Sequence, residues 1–211
     1  IGETVGSQDQ VSAAYGGLNN IRFQRNGDIS VNPIAIPRER IQALDDSLML
    51  FYTGIMRTAE EVAKSYVDEI EAKEKQLVRM RAMVDEAIKI LNNGNLDDFG
   101  LLLNEAWQEK RSLSKLVTNS HVDEIYTEAL SAGALGGKLT GAGGGGFLLL
   151  YVPLEKQINV KQRLSPLIHV PFEFETNGSK IIFFDRSLRN MDEENPQTEN
   201  FIKPFVELDD L

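Results

Sequence analysis

Residues 136–146 read GGKLTGAGGGG and contain seven glycines in eleven positions. Ordering a glycine costs more backbone entropy than ordering any other residue, so a loop keeps this density only for a reason. The two usual reasons are a backbone that turns through positive φ and a backbone that closely approaches a ligand, because successive amides without Cβ atoms can bind phosphate oxygens. The alternative is a flexible spacer or a tight helix-to-strand connection. The absence of serine and proline from the run argues against a spacer.

Three well-known glycine motifs do not fit this stretch. Gly141, Gly143 and Gly146 satisfy G-x-G-x-x-G, but a dinucleotide fingerprint needs a strand before it and a helix after it, and here the predicted order is reversed. A P-loop would need Lys-Ser or Lys-Thr after the last glycine. A protein-kinase glycine loop would need a surrounding hairpin and a later His-Arg-Asp, and neither is present.

The segments on either side of the glycine run alternate between helical and strand patterns. Gly133, Asn95 and Ser120 mark helix boundaries, the first as a stop and the other two as N-caps, with Asp98 at capping-box distance from Asn95. The predicted elements after residue 45 are strand 48–53, helices 58–92, 95–116 and 120–132, strand 147–152, helix 155–164, and strands 170–175 and 180–185 joined by Thr-Asn-Gly-Ser. Helices gathered against an antiparallel sheet form an α+β layer.

The two ends of the chain carry weaker patterns. Near the start we expect a short helical segment ended by Gly16-Gly17, and then a hairpin of strands 20–24 and 29–34 around Asn26-Gly27. Residues 186–211 carry seven acids, three bases and two prolines with no sustained period, and they are predicted to be an acidic, loosely attached tail.

Composition excludes several classes of protein. The 211 residues carry 22 Lys+Arg against 32 Asp+Glu, a formal net charge of −10, which disfavours a nucleic-acid binder but leaves room for a local anion site. The 42% of apolar residues supports a packed core, and the absence of cysteine excludes disulfides and thiolate zinc sites. No membrane span or signal peptide is apparent, so we expect a cytoplasmic protein. Since the first residue is Ile1, we expect the chain to be part of a longer protein.

The glycine run and its flanks resemble the third motif of the GHMP kinases. The motif is GGKLTGAGGGGFLLLY at 136–151, and its heptose 7-phosphate kinase branch is the most similar. The supporting stretches are GSQDQVSAAYGG at 6–17, LMLFYTGIMRTAEEV at 48–62, FGLLLNEAWQEKRSLSKLVTN at 99–119 and HVDEIYTEALSAGALGGKLTG at 121–141.

This resemblance implies a fold and an activity. Residues 45–185 would be the ferredoxin-like C-terminal domain of such a kinase, and residues 1–44 the end of its N-terminal domain. The motif that wraps the ATP phosphates, and the Mg²⁺ ligands, would then lie before Ile1, so this segment alone is expected to be inactive. The implied reaction is ATP-dependent phosphorylation of the anomeric hydroxyl of a heptose 7-phosphate or a similar sugar. The alternatives are another sugar kinase, such as an L-fucokinase-like enzyme, a non-catalytic sugar-sensing or interaction module, and a plain structural domain.

The resemblance also assigns roles to individual residues. Asp9 matches the catalytic aspartate that orients the sugar hydroxyl, although on sequence alone it could simply cap a helix. The residues that would face the phosphates are Thr140, Gly141, Ala142, Gly143, Gly144 and Gly145. The residues that could bind the sugar or its phosphate are Gln8, Gln10, Arg57 and Lys138. Arg57 and Lys138 could equally be ordinary solvent-exposed cations.

Other conspicuous residues are predicted to be structural or uninvolved. Leu103, Trp107 and Lys110 share one helical face, which favours core packing. His121 and His169 lack metal-ligand spacing, so no zinc site is expected.

Overall fold

The computed structural model describes residues 6–55, 62, 65 and 70–182. Residues up to Gly178 form one compact unit, and residues from Ser179 onward form a second, of which 179–182 are described. The elements in chain order are α1 Gln8–Tyr15, β1 Asn19–Phe23, β2 Ile29–Pro33, α2 Arg38–Asp46, β3 Leu48–Tyr52, a 3₁₀ turn Ile70–Lys73, α3 Glu74–Asn93, α4 Leu96–Arg111, α5 Ser120–Ala132, β4 Gly136–Leu139, β5 Phe147–Tyr151, a 3₁₀ turn Leu154–Lys156, α6 Gln157–Arg163 and β6 Ile168–Val170.

The main sheet has four antiparallel strands in the spatial order β4-β5-β3-β6. Phe51 on β3 lies opposite Leu148 on β5 and His169 on β6, while Lys138 on β4 lies opposite Leu149. Along the chain, helices separate β3 from β4 and β5 from β6, whereas β4 and β5 are joined by a loop. This β-α-β-β-α-β succession and the spatial order of the strands are those of a ferredoxin-like fold. The predicted α+β, ferredoxin-like architecture is confirmed. A separate two-stranded sheet pairs β1 with β2, as the Asn-Gly turn predicted.

The main core lies between this sheet and the helices. Leu148 and Leu150 alternate along β5 and are both fully buried, as are Val122 and Ala129 on α5. Trp107 on α4 is also fully buried, which confirms that its helical face packs into the core. The run FLLLY forms a central strand, with Leu148, Leu150 and Tyr151 buried in the cores and Phe147 exposed at its start.

A second, smaller core joins the N-terminal segment to the domain. Leu44 on α2 packs with Leu91 and Tyr151, and Leu18 and Ile34 pack against this cluster. The boundary predicted between residues 44 and 45 falls inside α2, and a division of the chain there stays a prediction.

Asparagine side chains cap the starts of α4 and α5. The Asn95 side chain accepts a hydrogen bond from the Asp97 N–H at 3.2 Å, as expected for an N-cap. The cap of α5 is Asn119, which bonds the Val122 N–H at 3.0 Å, so the assignment of that role to Ser120 is wrong by one residue. Gly133 ends α5 at φ +116°, as predicted. The predicted extension of α4 to residue 116 is also wrong, because the helix ends at Arg111 in a series of turns.

The predicted hairpin of strands 170–175 and 180–185 does not form in the described residues. β6 spans Ile168–Val170, and residues 171–182 carry no regular structure. The backbone instead meets the end of α1, where the Gly17 N–H donates to the Glu175 carbonyl at 2.8 Å. A Cβ on Gly178 would lie 2.0 Å from the Ala14 carbonyl oxygen, so this approach needs glycine. Residues 183–185 lie outside the described part of the chain.

Within the described residues, every helix is too short or too polar to cross a membrane.

Candidate functional site

The glycine stretch begins as a strand and becomes a loop only at Thr140. Gly136–Leu139 pair with β5, so the interpretation of the whole stretch as a loop is wrong. A Cβ on Gly136 would lie 2.1 Å from the carbonyl oxygen of Gly100 on α4. These two glycines therefore let the helix lie directly on the strand, which fixes the direction in which the following loop leaves the sheet.

The loop proper, residues 140–146, uses the positive φ angles that its composition predicted. Gly143 has φ +114° and Gly144 has φ +79°, a region that side chains with a Cβ rarely adopt. A Cβ on Gly143 would also lie 2.7 Å from the Val117 carbonyl oxygen. Backbone conformation and close packing thus both require glycine at position 143.

Hydrogen bonds to other segments of the chain hold this loop in place. The Gly144 N–H donates to the Val117 carbonyl at 2.8 Å, and the Asn119 side chain donates to the Gly144 carbonyl at 3.0 Å. The Gly146 carbonyl accepts from both the N–H and the hydroxyl of Thr53, at 2.9 and 2.8 Å. The loop is therefore a fixed part of the fold rather than a flexible spacer.

Several loop amides remain available. Thr140 donates its N–H to the Phe147 carbonyl at 2.9 Å. The amides without an acceptor in the described part of the chain are those of Gly141, Ala142, Gly143 and Gly145. Backbone N–H groups are strong donors, and a run of them in a glycine-rich turn is a recurrent phosphate-binding device. The loop can thus supply hydrogen-bond donors to an anion.

Two lysines lie next to the loop. Lys138, on β4, is half-buried, and burial lowers the pKa of its ammonium group. Lys110, near the end of α4, donates to the Gly141 carbonyl. Burial and the neighbouring charge of Lys138 lower the pKa of Lys110 to about 8. Sequence reasoning assigned Lys110 to core packing and missed its position at the loop.

Asp9 lies in the first turn of α1 and brings a negative charge toward both lysines. Its carboxylate acts against the lowering of the pKa of Lys110 and of Lys138. The helix begins after Ser7, and no side chain caps it, so the interpretation of Asp9 as an N-cap is wrong. Asp9 is exposed and forms no hydrogen bond or ion pair with the rest of the described chain. As far as the described residues show, its carboxylate is open to a ligand.

Three other residues were predicted to belong to the site. Gln8 and Gln10 flank Asp9 on α1 and are exposed. Arg57 lies outside the described residues, and its role stays a prediction. Within the described part of the chain, no three His, Asp or Glu side chains are grouped so that they could hold a metal ion.

Comparison with known proteins shows which family the sequence resembles. Residues 86–166 match the model described as GHMP kinases C terminal. The chain is 34% identical over 167 residues to D-glycero-alpha-D-manno-heptose 7-phosphate kinase of Campylobacter jejuni, covering 78% of this chain and 49% of that protein. It is 29% identical over 178 residues to the bifunctional fucokinase/GDP-fucose pyrophosphorylase of Arabidopsis thaliana, covering 80% of this chain and 16% of that protein.

A solved structure gives the same result. The crystal structure of a D-glycero-D-manno-heptose 1-phosphate kinase from Bacteroides thetaiotaomicron superposes with a TM-score of 0.54 at 25% identity, covering 84% of this chain and 50% of that one. The chain thus spans about half the length of the heptose phosphate kinases that it matches. It contains a GHMP kinase C-terminal domain and is a member of the GHMP kinase superfamily.

Proposed function

We propose that this chain is the C-terminal portion of an ATP-dependent sugar kinase that phosphorylates the anomeric hydroxyl of a heptose 7-phosphate or a similar sugar. The observation that carries the proposal is the position of Lys138 on β4 directly before the 140–146 loop, with the Asp9 carboxylate near enough to act on the pKa of Lys138. Phosphoryl transfer needs an oriented hydroxyl and stabilised phosphate charge, and these three features offer both.

Asp9 is proposed to orient the attacking hydroxyl. A carboxylate accepts a hydrogen bond from the hydroxyl and can take its proton as the oxygen begins to bond to phosphorus. Because carboxylates are weak bases near neutral pH, alignment and electrostatics contribute more than proton abstraction. Gln8 and Gln10, on either side of Asp9, can donate to neighbouring sugar hydroxyls.

The loop fits a polyphosphate. The amides of Gly141, Ala142, Gly143 and Gly145, which lack an acceptor in the described part of the chain, suit the phosphates of ATP, which supplies the transferred group when bound. Thr140 holds the start of the loop through its bond to Phe147. In this proposal the Mg²⁺ ligands belong to residues outside the described part of the chain.

The acceptor is inferred from the relatives. Identity of 34% to a heptose 7-phosphate kinase supports a sugar that already carries a phosphate. Lys138 and Arg57 are proposed to contact that phosphate. The 29% identity to a bifunctional fucokinase supports an unphosphorylated 6-deoxysugar as the second candidate acceptor.

A kinase screen tests the proposal. The full-length protein should consume ATP only when an acceptor is present, and a panel of heptose phosphates, L-fucose, galactose and mannose should identify the acceptor. Asp9→Asn should reduce turnover by about 10² or more, the usual range for a positioned acid–base group. Asp98→Asn is the matched control, because Asp98 is an exposed acid in the first turn of another helix. Turnover by Asp9→Asn equal to that of the Asp98 variant would contradict the role of Asp9.

The same screen covers the non-catalytic alternative. A protein that binds a sugar but consumes no ATP with any acceptor would be a sugar-sensing module on a kinase fold. That result would overturn the proposed activity while leaving the family assignment intact.

A further inference from the structure

The position of Lys110 follows from the way α4 lies on β4. Gly136 meets Gly100 at one end of the contact, and Lys110 meets Gly141 at the other. The helix advances about 15 Å from position 100 to position 110, and β4 advances about 10 Å from position 136 to position 139 before the loop begins. The two segments therefore run side by side in the same direction, and Lys110 reaches the point where β4 becomes the loop.

A second contact in the middle of this interface fixes the register. The hydroxyl of Tyr126 on α5 donates to the Asn104 side chain at 2.8 Å and also lies 3.4 Å from the Gly137 carbonyl. A slip of α4 by one turn along β4 would break these bonds and place backbone atoms in collision at Gly136. The meeting of Lys110 with the start of the loop is thus set by rigid elements and not by a flexible side chain alone.

This arrangement is electrostatically unfavourable without a ligand. Lys110 and Lys138 are both partly buried, and the charge of Lys138 opposes protonation of Lys110. Within the described residues, neither ammonium group has a carboxylate within ion-pair distance, and Asp9 offsets their charge only through space. Charged groups placed together in this way destabilise a fold unless something of opposite charge binds them.

We propose that Lys110 and Lys138 together form a two-cation site for a phosphate group, with Lys110 as a phosphate-binding residue that also positions the loop through the Gly141 carbonyl. Two ammonium groups and the neighbouring free amides match a tetrahedral dianion. In a chain with a net charge of −10, such a site attracts phosphate locally while the surrounding surface repels anions in general. The assignment of this phosphate to a kinase substrate rests on the proposed function, whereas anion binding does not.

A titration of the protein itself tests anion binding without any catalytic assay. Lysine labelled with ¹³C at Cε reports the protonation of each ammonium group by NMR, and Lys110→Arg assigns the Lys110 signal. Sulfate is the probe, because it keeps its double negative charge between pH 6 and 11, and potassium chloride at equal ionic strength is the control. Sulfate should raise the titration midpoint of Lys110 from about 8 and should also move the Lys138 signal.

Variants at position 110 measure how much Lys110 contributes to sulfate binding. Lys110→Met should weaken sulfate binding about tenfold, the effect of removing one charge-assisted hydrogen bond. Lys110→Arg should restore most of the affinity, because arginine keeps the charge and can donate to both the anion and a carbonyl. Lys115→Met is the matched control, since Lys115 is an exposed lysine only five residues away. The Lys115→Met protein should bind sulfate with the affinity of the wild type.

Steady-state kinetics distinguish the source of the phosphate. If the site takes the phosphate of the sugar, Lys110→Met raises KM for the sugar phosphate and not for ATP. If the site takes the phosphates of the nucleotide, KM for ATP rises whichever acceptor is used. Either result supports the site.

The proposal fails if sulfate leaves the Lys110 midpoint of the wild type unchanged relative to chloride, a result that needs no variant to fold. It also fails if Lys110→Met binds sulfate within about twofold of the Lys115→Met protein. An absence of kinase activity with an intact sulfate response would reject the proposed function and leave the anion site standing.

Discussion

Replacing Arg40 by alanine should destabilise the protein by releasing the end of the longest described helix. Arg40 lies on α2, and its guanidinium group reaches the C-terminal end of α3. Its Nε donates to the Leu91 carbonyl at 2.8 Å, and its Nη2 donates to the Ile90 and Gly94 carbonyls at 2.9 and 2.8 Å. The Ile90 carbonyl also accepts the Gly94 N–H at 2.9 Å, whereas Arg40 is the partner of the Leu91 and Gly94 carbonyls in the described part of the chain. A cation at this helix end also interacts favourably with the helix dipole.

The magnitude follows from the three hydrogen bonds. A bond to a charged group contributes about 1.5–3 kcal/mol, but Arg40 is half-buried, so water can replace part of each bond in the variant. Taking about 1 kcal/mol for each bond gives a loss of about 3 kcal/mol in the free energy of unfolding. For a chain of this size the loss corresponds to a fall in Tm of about 6–12 °C.

Arg40→Lys separates charge from geometry. A lysine keeps the positive charge at the end of the helix but lacks the planar fork that reaches three carbonyls at once. We expect about half of the alanine loss, roughly 1.5 kcal/mol. Arg38→Ala is the control, because Arg38 is exposed at the start of the same helix and its removal should change stability by less than about 0.5 kcal/mol.

Urea and thermal unfolding followed by circular dichroism measure all four proteins. An Arg40→Ala protein that melts within about 2 °C of the Arg38→Ala control would show that the three bonds contribute nothing net. Full rescue by lysine would show that the charge at the helix end matters and the fork does not. Either result would refute the hydrogen-bond reasoning.

Two further predictions concern the glycine stretch and its lysine. Gly136→Ala should lower the free energy of unfolding by about 3 kcal/mol, the upper end for overpacking, because the new Cβ would collide with the backbone of Gly100. Gly141→Ala has open space around the new Cβ and should lower it by only about 1 kcal/mol, the cost of a φ of +66°. Equal losses in urea unfolding would contradict this difference. The lowered pKa of Lys110 means that the unfolded chain binds more protons than the folded one between pH 8 and 10.5, so the stability of the wild type relative to Lys110→Met should rise across that window, and a flat difference would argue against it.

Periodicity and caps predicted the elements whose own side chains determine their environment. β5 is an unbroken apolar run, and α4 and α5 place apolar residues at three- and four-residue spacing between an asparagine cap and a polar or glycine end. The β1–β2 hairpin follows from Asn26-Gly27, which suits the tight turn whatever the rest of the fold does. In each case local chemistry and tertiary packing favour the same structure, although the sequence predicts Ser120 instead of Asn119 as the cap of α5 and places the end of α4 five residues too late.

The missed elements are those that depend on distant partners. The sequence of α2, RERIQALDD, buries only Leu44, so its apolar face is too narrow to predict a helix directly after Pro33 and Pro37. Its stability comes instead from Arg40 and from the second core. The hairpin predicted after residue 170 also fails because of a distant partner. Its alternating pattern suits a strand, but the backbone at Glu175 bonds to Gly17, near the other end of the chain.

β4 is the instructive case, because its glycines suggest a loop and nevertheless form a strand. Glycine is a poor strand former, since it packs no side chain and loses the most entropy. At Gly136 and Gly137 that cost is offset by contacts that only a missing Cβ permits, with α4 on one face and β5 alongside. The two glycines that weaken the local strand propensity of β4 therefore strengthen its packing against α4 and β5.

The candidate site shows how far such reasoning reaches. A glycine loop with positive φ was predictable from composition, because few other uses justify its entropy. The proximity of Asp9, Lys110 and Lys138 was not, since the three residues lie on separate elements far apart in the chain and only tertiary packing, such as the register of α4 on β4, brings such elements together. One signal was present in the sequence: Lys110 lies three residues after the fully buried Trp107 and shares its face. A lysine on a buried helical face must meet an acceptor, an anion or solvent at the edge of the core, and in this fold that edge is the end of β4 where the glycine loop begins.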